Sequence, residues 1–357
     1  MDKSQLHGAL IGAGAVTVYH LKAWEQISQA SIVAIADPDL DAAYARGDEF
    51  GIPRQHIYPS FEALLESERE LDFVDIATLP DTHLELVKLV AERKLHITCQ
   101  KPFAYSLREA RQMIAICERA GILFNIHENW RWRRWYREIK KMLDAGEIGL
   151  PVYAKFFIHT DYWVNPERRT GLRKKAHGTL MEWGIHHIDL MRYLFGEAES
   201  VYARMRSAPG DNLVIDRRAL AVLNFRSGVT AYLDMSSASF SVWGNVNRDG
   251  PMVEDARIEG DSGTILLIPD PERGDLLRIV TAADSSERPV YSGTPQSVYQ
   301  ASYTAAHQHF IDCLLSGEMT ETGAQDNLET LAVTLAAYHS SKKDQVVTIE
   351  DYKRLDS

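Results

Sequence analysis

The sequence predicts an α/β protein of two domains: an N-terminal parallel sheet wound with helices on both faces, then an α+β domain built on a large, mainly antiparallel sheet. Three observations predict it. In the first third, short apolar runs alternate with amphipathic stretches. Beyond Ile126, strand-like segments follow one another with few helices between them. The length, 357 residues, suggests about two domains at ~150 residues each. The expected division is 1–126 and 127–357.

Ala9-Leu10-Ile11 reads as a buried strand, and Val18, Leu21, Trp24 and Ile27 follow at helical spacing. Ser31–Ala36 is short and β-branched, the second strand; Phe73–Ala77 and Leu95–Cys99 repeat the signal as third and fourth. Between them, His83, Leu86, Val87 and Val90 share one helical face. Ser106 and Glu109 form a capping box, Ala110, Met113, Ile114 and Cys117 the stripe that follows it, and Gly121 the stop. Ile122-Leu123-Phe124 begins another strand. In the second part, 152–158, 201–205, 220–225 and 229–235 read as strands, the last two joined at Ser227-Gly228. Helices over about 299–315 and 327–340 close the chain.

Ligands of such parallel sheets sit beyond the carboxyl ends of the strands. The first such end is Gly12-Ala13-Gly14-Ala15-Val16-Thr17, where Gly12 permits a tight turn and Gly14 lets the backbone approach a pyrophosphate at the helix N-terminus. Thr17 stands where a third Gly or Ala is usual. Asp37 ends the second strand 23 residues past Gly14, near the spacing expected of a carboxylate on the adenosine ribose. The alternative is a turn residue in Asp37-Pro38-Asp39. A carboxylate there accepts from both ribose hydroxyls and repels a 2′-phosphate, so the expected cofactor is NAD rather than NADP. The first domain is thus read as a Rossmann dinucleotide-binding domain, with Gly12, Gly14, Ala15, Val16 and Asp37 on the cofactor.

The third strand ends in Thr78-Leu79-Pro80 and the fourth in Gln100-Lys101-Pro102; Thr78, Leu79, Pro80, His83, Gln100 and Lys101 are further candidates for lining the cofactor. Pro102 keeps Lys101 extended. A lysine beyond a sheet edge, near a nicotinamide, can polarise a hydroxyl or carbonyl oxygen and act as acid or base; a solvated surface lysine is the plainer alternative. In the helix 180–195, a period of 3.6 residues puts Glu182, His186 and Asp189 in one stripe ~60° wide, with His187 about 100° away from His186. A histidine with a carboxylate one turn away suits proton transfer. The stripe offers three metal ligands at most, without H-E-x-x-H spacing, so no metal is expected.

Gly12-Ala13-Gly14 with His20, Ala36-Asp37, Thr78-Leu79-Pro80-Asp81-Thr82-His83, Gln100-Lys101-Pro102 and Glu182-Trp183-Gly184-Ile185-His186-His187-Ile188-Asp189 occur in that order. This succession resembles the glucose–fructose oxidoreductase / inositol dehydrogenase (Gfo/Idh/MocA) family of nicotinamide-dependent oxidoreductases, over most of the chain. Ile258–Thr264 is similar to the family's later strand–turn–strand. The resemblance implies that Lys101, Glu182 and His186 line the substrate, and that a homodimer or homotetramer assembles through the second domain's open sheet face. Two carboxylate positions differ: Gln100 stands for the Glu before the lysine and Glu182 for an Asp.

Substrate clues come from Asn129–Tyr136 and from Tyr162-Trp163-Val164-Asn165-Pro166, which opens a basic loop through Lys175. Aromatic faces against sugar or cyclitol C–H surfaces, with Arg and Asn on hydroxyls, suit a polyhydroxylated ligand. Arg131, Trp163 and Asp189 are the candidate substrate contacts, while packing is the alternative for Trp132, Trp135 and Tyr136. The net charge of −11 argues against nucleic acid and anionic membranes. Three dispersed cysteines and no signal peptide or spanning run point to a reducing cytoplasm. The expected activity is NAD-dependent oxidation of a secondary hydroxyl of a sugar, sugar derivative or cyclitol. Lys101 and His186 manage the proton, and Glu182 orients His186. Transient oxidation leading to elimination or glycoside cleavage, and a non-catalytic NAD-binding sensor or co-repressor, are the competing readings.

Overall fold

The structure, a computed structural model, describes residues 5–160, 177–207, 215–237, 253–268, 276–282, 284–289 and 295–356. The chain divides into two compact units, Met1–Asn129 with Gln300–Leu328, and Trp130–Tyr299 with Glu329–Ser357. The expected boundary at 126 follows chain order alone; the segment returning to the first unit at Gln300 is a tertiary feature with no local signature.

The first unit carries a six-stranded parallel sheet in the order β3-β2-β1-β4-β5-β6. Its strands are β1 (Leu6–Ile11), β2 (Ala30–Ala36), β3 (Ile57–Tyr58), β4 (Phe73–Ile76), β5 (His96–Gln100) and β6 (Phe124–His127). The two residues of β3 are too few to show a period, so the third and fourth strands read from the sequence are β4 and β5. The order reverses between β1 and β4, which creates a crevice at their carboxyl ends. Connecting helices are α1 (Thr17–Trp24), α2 (Leu40–Phe50), α3 (Phe61–Ser67), α4 (His83–Glu92) and α5 (Leu107–Ala120).

The start and stop of α5 follow its sequence signals. Ser106 Oγ accepts from the Glu109 amide at 3.3 Å, and Gly121 ends the helix at φ +69°, where a side chain would be strained. The returning segment is tied to the β6 edge. Ile126 N donates to Thr322 O at 2.8 Å, Thr322 Oγ1 donates to Asn125 Oδ1 at 3.0 Å, and Phe310 and Ile311 pack with Trp24, Ile27, Ala30 and Phe73.

The second unit is built on a nine-stranded sheet, β14-β13-β12-β11-β7-β10-β9-β8-β15. Its strands are β7 (Pro151–His159), β8 (Ala198–Arg206), β9 (Arg218–Phe225), β10 (Thr230–Ser236), β11 (Val253–Gly260), β12 (Gly263–Ile268), β13 (Leu276–Thr281), β14 (Ser285–Pro289) and β15 (Val347–Thr348). Among the described residues only β7 and β10 pair in parallel, and the remaining pairs are antiparallel. The β9–β10 hairpin turns at Gly228, whose φ is +90°, and β11–β12 pairs Ile258 with Ile265 as the strand–turn–strand reading expects. Ala154, Phe156 and Ile158 alternate into the core with Ala221, Leu223, Ala231 and Leu233, the period of a sheet with one buried face.

On it lies α7 (Ile185–Phe195), whose Phe195 meets Phe156 and Phe225, with α6 (Arg134–Asp144) packed on α7; the C-terminal helices are α8 (Pro295–Ser316), α9 (Ala324–Lys343) and α10 (Ile349–Leu355). Among the described residues no helix is long and apolar enough to cross a membrane.

Candidate active site

In the first unit the crevice is shaped by glycine. Gly12 leaves β1 at φ +107°, and a Cβ on it would lie 2.8 Å from Ala77 O at the end of β4. Both strain and steric overlap therefore exclude a larger residue. A Cβ on Gly14 would meet nothing within 4 Å, which leaves open space before the first turn of α1. That turn has no side-chain cap at Val16 and no acidic residue, so its amides suit an anion. Thr17, in place of the third glycine, is fully buried, and its hydroxyl donates to Gly14 O at 2.6 Å. The glycine loop is thereby braced from beneath.

Asp37 is half-buried beside this loop. Its Oδ2 accepts from Ala13 N at 2.7 Å, and its Oδ1 accepts from Asp39 N at 2.8 Å. The carboxylate therefore makes the Asp37-Pro38-Asp39 turn and also anchors the glycine loop, and each oxygen keeps a second lone pair for a hydroxyl donor. Arg46, on α2, places Nη2 3.4 Å from Gly14 O while Nη1 pairs with Glu49 at 2.6 Å. Its cation beside the phosphate crevice escaped the sequence reading, since an arginine on an amphipathic helix carries no signal of what it faces.

The ends of β4 and β5 are locked together. Thr78 Oγ1 lies 2.7 Å from Thr82 Oγ1, Leu79 is exposed and Pro80 buried. His83 is buried, with Nδ1 3.0 Å from Phe103 O and Nε2 3.3 Å from Thr78 O. The imidazole thus bridges two strand exits from beneath. Gln100 Oε1 accepts from Lys101 N at 2.7 Å, and its Nε2 lies 3.0 Å from His20 Nε2. The oxygen faces an amide donor, so the amide nitrogen donates to His20 Nε2. The His20 proton is consequently on Nδ1, 2.9 Å from Asp75 Oδ2. Lys101 is half-buried at the strand tip, and its charge is among those that depress protonation of His127, after burial and His20.

Burial lowers the His83 imidazole from 6.5 to about 4, against the pull of the Phe103 and Thr78 carbonyls. Between these values the unfolded chain binds the proton and the folded one does not, so stability falls as pH drops from 6.5 towards about 4. The loss attributable to this ring levels off near ~3 kcal/mol. Urea unfolding from neutral pH downward is expected to show that slope, and His83→Asn is expected to flatten it in part. Burial depresses His96, His127 and His307 in the same direction, so a residual slope remains.

In the second unit, the helix read as 180–195 begins with a π turn, Leu180–Gly184, before α7. The wider turn changes the rotation between Glu182 and His186, so the stripe computed at 3.6 residues per turn does not apply across it. Close approach explains two glycines here. A Cβ on Gly184 would lie 2.6 Å from Leu180 Cδ1, and one on Gly178 would lie 2.0 Å from Asp216 O. Glu182 is half-buried in the π turn, where its charge and that of Asp216 oppose the lowering of the His177 pKa by burial. Asp216 accepts from Gly178 N and Leu180 N, each at 2.9 Å, and from Tyr338 Oη at 2.8 Å.

His186 is buried, its ring stacked on Trp130 at 4.1 Å and 15°. The Arg133 guanidinium sits 3.8 Å from the centre of the same indole, forming a column of cation, indole and imidazole. Arg131 and Asp189, both candidate substrate contacts, pair with one another. Arg131 Nε donates to Asp189 Oδ2 at 2.8 Å and Nη2 donates to Oδ1 at 2.6 Å. Thr330 Oγ1 adds a third bond at 3.1 Å, and both charges are buried. Trp135 and Tyr136 are buried in the same unit, while Trp132 is half-buried with Arg137 3.8 Å over its ring. Trp163 and its basic loop lie outside the described residues.

A parallel sheet reversing at a glycine turn, an open helix N-terminus and a carboxylate at the end of β2 define a nicotinamide-dinucleotide-binding oxidoreductase. Residues 6–127 match the oxidoreductase-family NAD-binding Rossmann fold, and residues 140–349 match that family's C-terminal alpha/beta domain. The chain belongs to the Gfo/Idh/MocA oxidoreductase family. It is 35% identical to a D-apiose dehydrogenase of Paraburkholderia graminis over 96% of this chain and 89% of that protein. It is 32% identical to a D-apiose dehydrogenase of Rhizobium rhizogenes, over 98% and 99%. An oxidoreductase from Agrobacterium radiobacter, solved in complex with NAD+, L-tartaric acid and magnesium, superposes with a TM-score of 0.88 at 31% identity, covering 97% of this chain and 99% of that one.

Proposed function

We propose that the protein oxidises a secondary hydroxyl of a sugar, sugar derivative or cyclitol with NAD as acceptor, and that an open-chain or furanose sugar of the apiose type heads the list. The observation that carries the reading is the glycine crevice with Asp37 at its edge, joined to full-length similarity with two D-apiose dehydrogenases. NAD, when bound, supplies the hydride acceptor. Gly12, Gly14, Ala15 and Val16 fit its pyrophosphate, Asp37 its ribose, and Thr78, Leu79, Pro80 and Gln100 the space beyond β4 and β5; His83 holds those strand ends rather than touching the cofactor.

Lys101 takes the substrate oxygen and steadies the charge that develops on it, and His186 holds the proton that leaves. Trp130, stacked on the ring and itself covered by Arg133, keeps His186 in place. Glu182 acts as a positioning residue beside them. Arg131 and Asp189 act on substrate indirectly, by fixing the short turn that carries Trp130. The reading includes a homodimer or homotetramer through the outer face of the second sheet, where Tyr153, Phe157, Leu220 and Tyr232 stand partly exposed. It also includes a cytoplasmic location, in keeping with three free cysteines.

The test is NADH absorbance against a panel of aldoses, cyclitols, uronates and glycosides, with NADP in parallel. Turnover on a sugar or cyclitol with NAD is expected; no turnover on any polyol removes the proposal. Removing the ribose carboxylate with Asp37→Ala is expected to raise KM for NAD about tenfold or more, the order of one lost charge-assisted hydrogen bond, and to lower KM for NADP.

A further inference from the structure

The core of the first unit holds a group of histidines that the hydride chemistry does not use. His20 on α1, His127 at the end of β6 and His307 on the returning α8 are all buried, and a nitrogen of each lies within 4.8 Å of the others. They stand 107 and 180 residues apart in sequence, so no short motif announces them, and the absence of a metal expected from the helix at 180–195 says nothing about them. Asp75, from β4, lies against two of them, His20 and His307. His20 Nδ1, His307 Nε2 and Asp75 Oδ2 form a triangle with sides of 2.9, 3.2 and 3.7 Å. A tetrahedral ion bound at about 2.0–2.1 Å holds its ligand atoms ~3.3 Å apart, the mean of these sides.

Hydrogen bonding leaves the same centre under-satisfied. Both nitrogens of His127, Nδ1 of His307 and Oδ1 of Asp75 are buried without a hydrogen-bond partner. Orphaned polar atoms of this kind, clustered in a core, indicate an ion or a water. The Asp75 carboxylate is fully buried, where a charge needs donors or a cation beside it. Trp24 Nε1 donates to Asp75 Oδ2 at 2.8 Å, an outer-shell bond of the type that orients a ligating carboxylate.

We propose that His20, His127, His307 and Asp75 bind a divalent transition metal of the zinc type in a closed, tetrahedral, three-nitrogen one-oxygen site. Four protein ligands leave no position for substrate, so the ion is structural. It joins α1, β4, β6 and the returning helix α8, four elements brought together only by the tertiary fold. Coordination at Nδ1 displaces the proton that His20 gives to Asp75, while Nε2 continues to accept from the Gln100 amide, whose oxygen stays on Lys101 N. One proton is released for each ion taken up. The buried position means that the ion enters during folding rather than by diffusion into the finished core.

The experiment uses the untagged full-length chain, prepared in zinc-supplemented medium without chelator, and separately unfolded with chelator and refolded with zinc, cobalt or magnesium. Elemental analysis is expected to find about one zinc per chain in the wild type. The cobalt-refolded protein is expected to show the intense visible bands of a tetrahedral centre, and zinc but not magnesium, which prefers oxygen ligands, is expected to raise Tm. The His127→Gln/His307→Gln double variant is expected to lose the metal at least tenfold. His307→Gln alone, a milder change, is expected to lower occupancy while the wild type's zinc-dependent rise in Tm disappears. Wild-type protein free of zinc and cobalt by both routes overturns the proposal. So does a folded double variant that keeps the same stoichiometry. Neither readout depends on substrate turnover.

Discussion

Lys101→Ala and His186→Ala are each expected to lower kcat/KM by about 10²–10⁴, the range for loss of a positioned acid or base. The loss should fall mainly on kcat, because the groups act on charge and proton as the transition state forms. NAD binding by His186→Ala should be unchanged, since the dinucleotide crevice is made by the first unit. His186 is buried under Trp130, and its truncation opens a cavity, so Tm must be read beside the kinetics. Trp130→Phe provides the complementary case. It keeps an aromatic surface against His186 but weakens the stack and the Arg133 contact, and a several-fold loss with a shifted pH profile is expected. Full turnover by both alanine variants on the true substrate would remove Lys101 and His186 from the chemistry.

Arg131→Met is expected to destabilise the second unit by about 3–5 kcal/mol, because it leaves the Asp189 charge buried without its partner. At roughly 2–4 °C per kcal/mol for a unit of this size, Tm should fall by about 6–20 °C. Thr330 alone, donating one neutral hydrogen bond at 3.1 Å, does not replace a bidentate guanidinium. Arg131→Met with Asp189→Leu should recover most of the loss, since an apolar pair of similar volume removes the unpaired charge. The contrast separates the structural pair from a direct substrate contact. A pair that serves packing gives stability loss in the single variant and recovery in the double; a direct contact gives a raised KM in both, with little change in Tm.

What the sequence made legible was local. The turn Gly12–Thr17, the Asp37-Pro38-Asp39 turn and the cap of α5 each depend on residues a few positions apart, and their backbone requirements are written in residue type. The same is true of the β9–β10 hairpin, where Gly228 supplies the positive φ. What escaped was held by contacts far apart in sequence. The two-residue β3 is a strand only because β2 pairs with it. The return of Gln300–Leu328 to the first unit rests on Phe310 and Ile311 meeting Trp24 and Phe73. The helical stripe of Glu182, His186 and Asp189 assumed a uniform 3.6-residue turn, whereas Leu180–Gly184 forms a π turn. Arg131 and Asp189 were both read as candidate substrate contacts. Their mutual pairing, 58 positions apart, was not legible.

The central claim is net hydride transfer from a substrate hydroxyl to NAD, and the most direct test is the stoichiometry of NADH formed to carbonyl product formed with excess NAD. The account predicts about one NADH for each hydroxyl oxidised. Turnover of substrate on catalytic amounts of NAD, with no NADH accumulating, would contradict it.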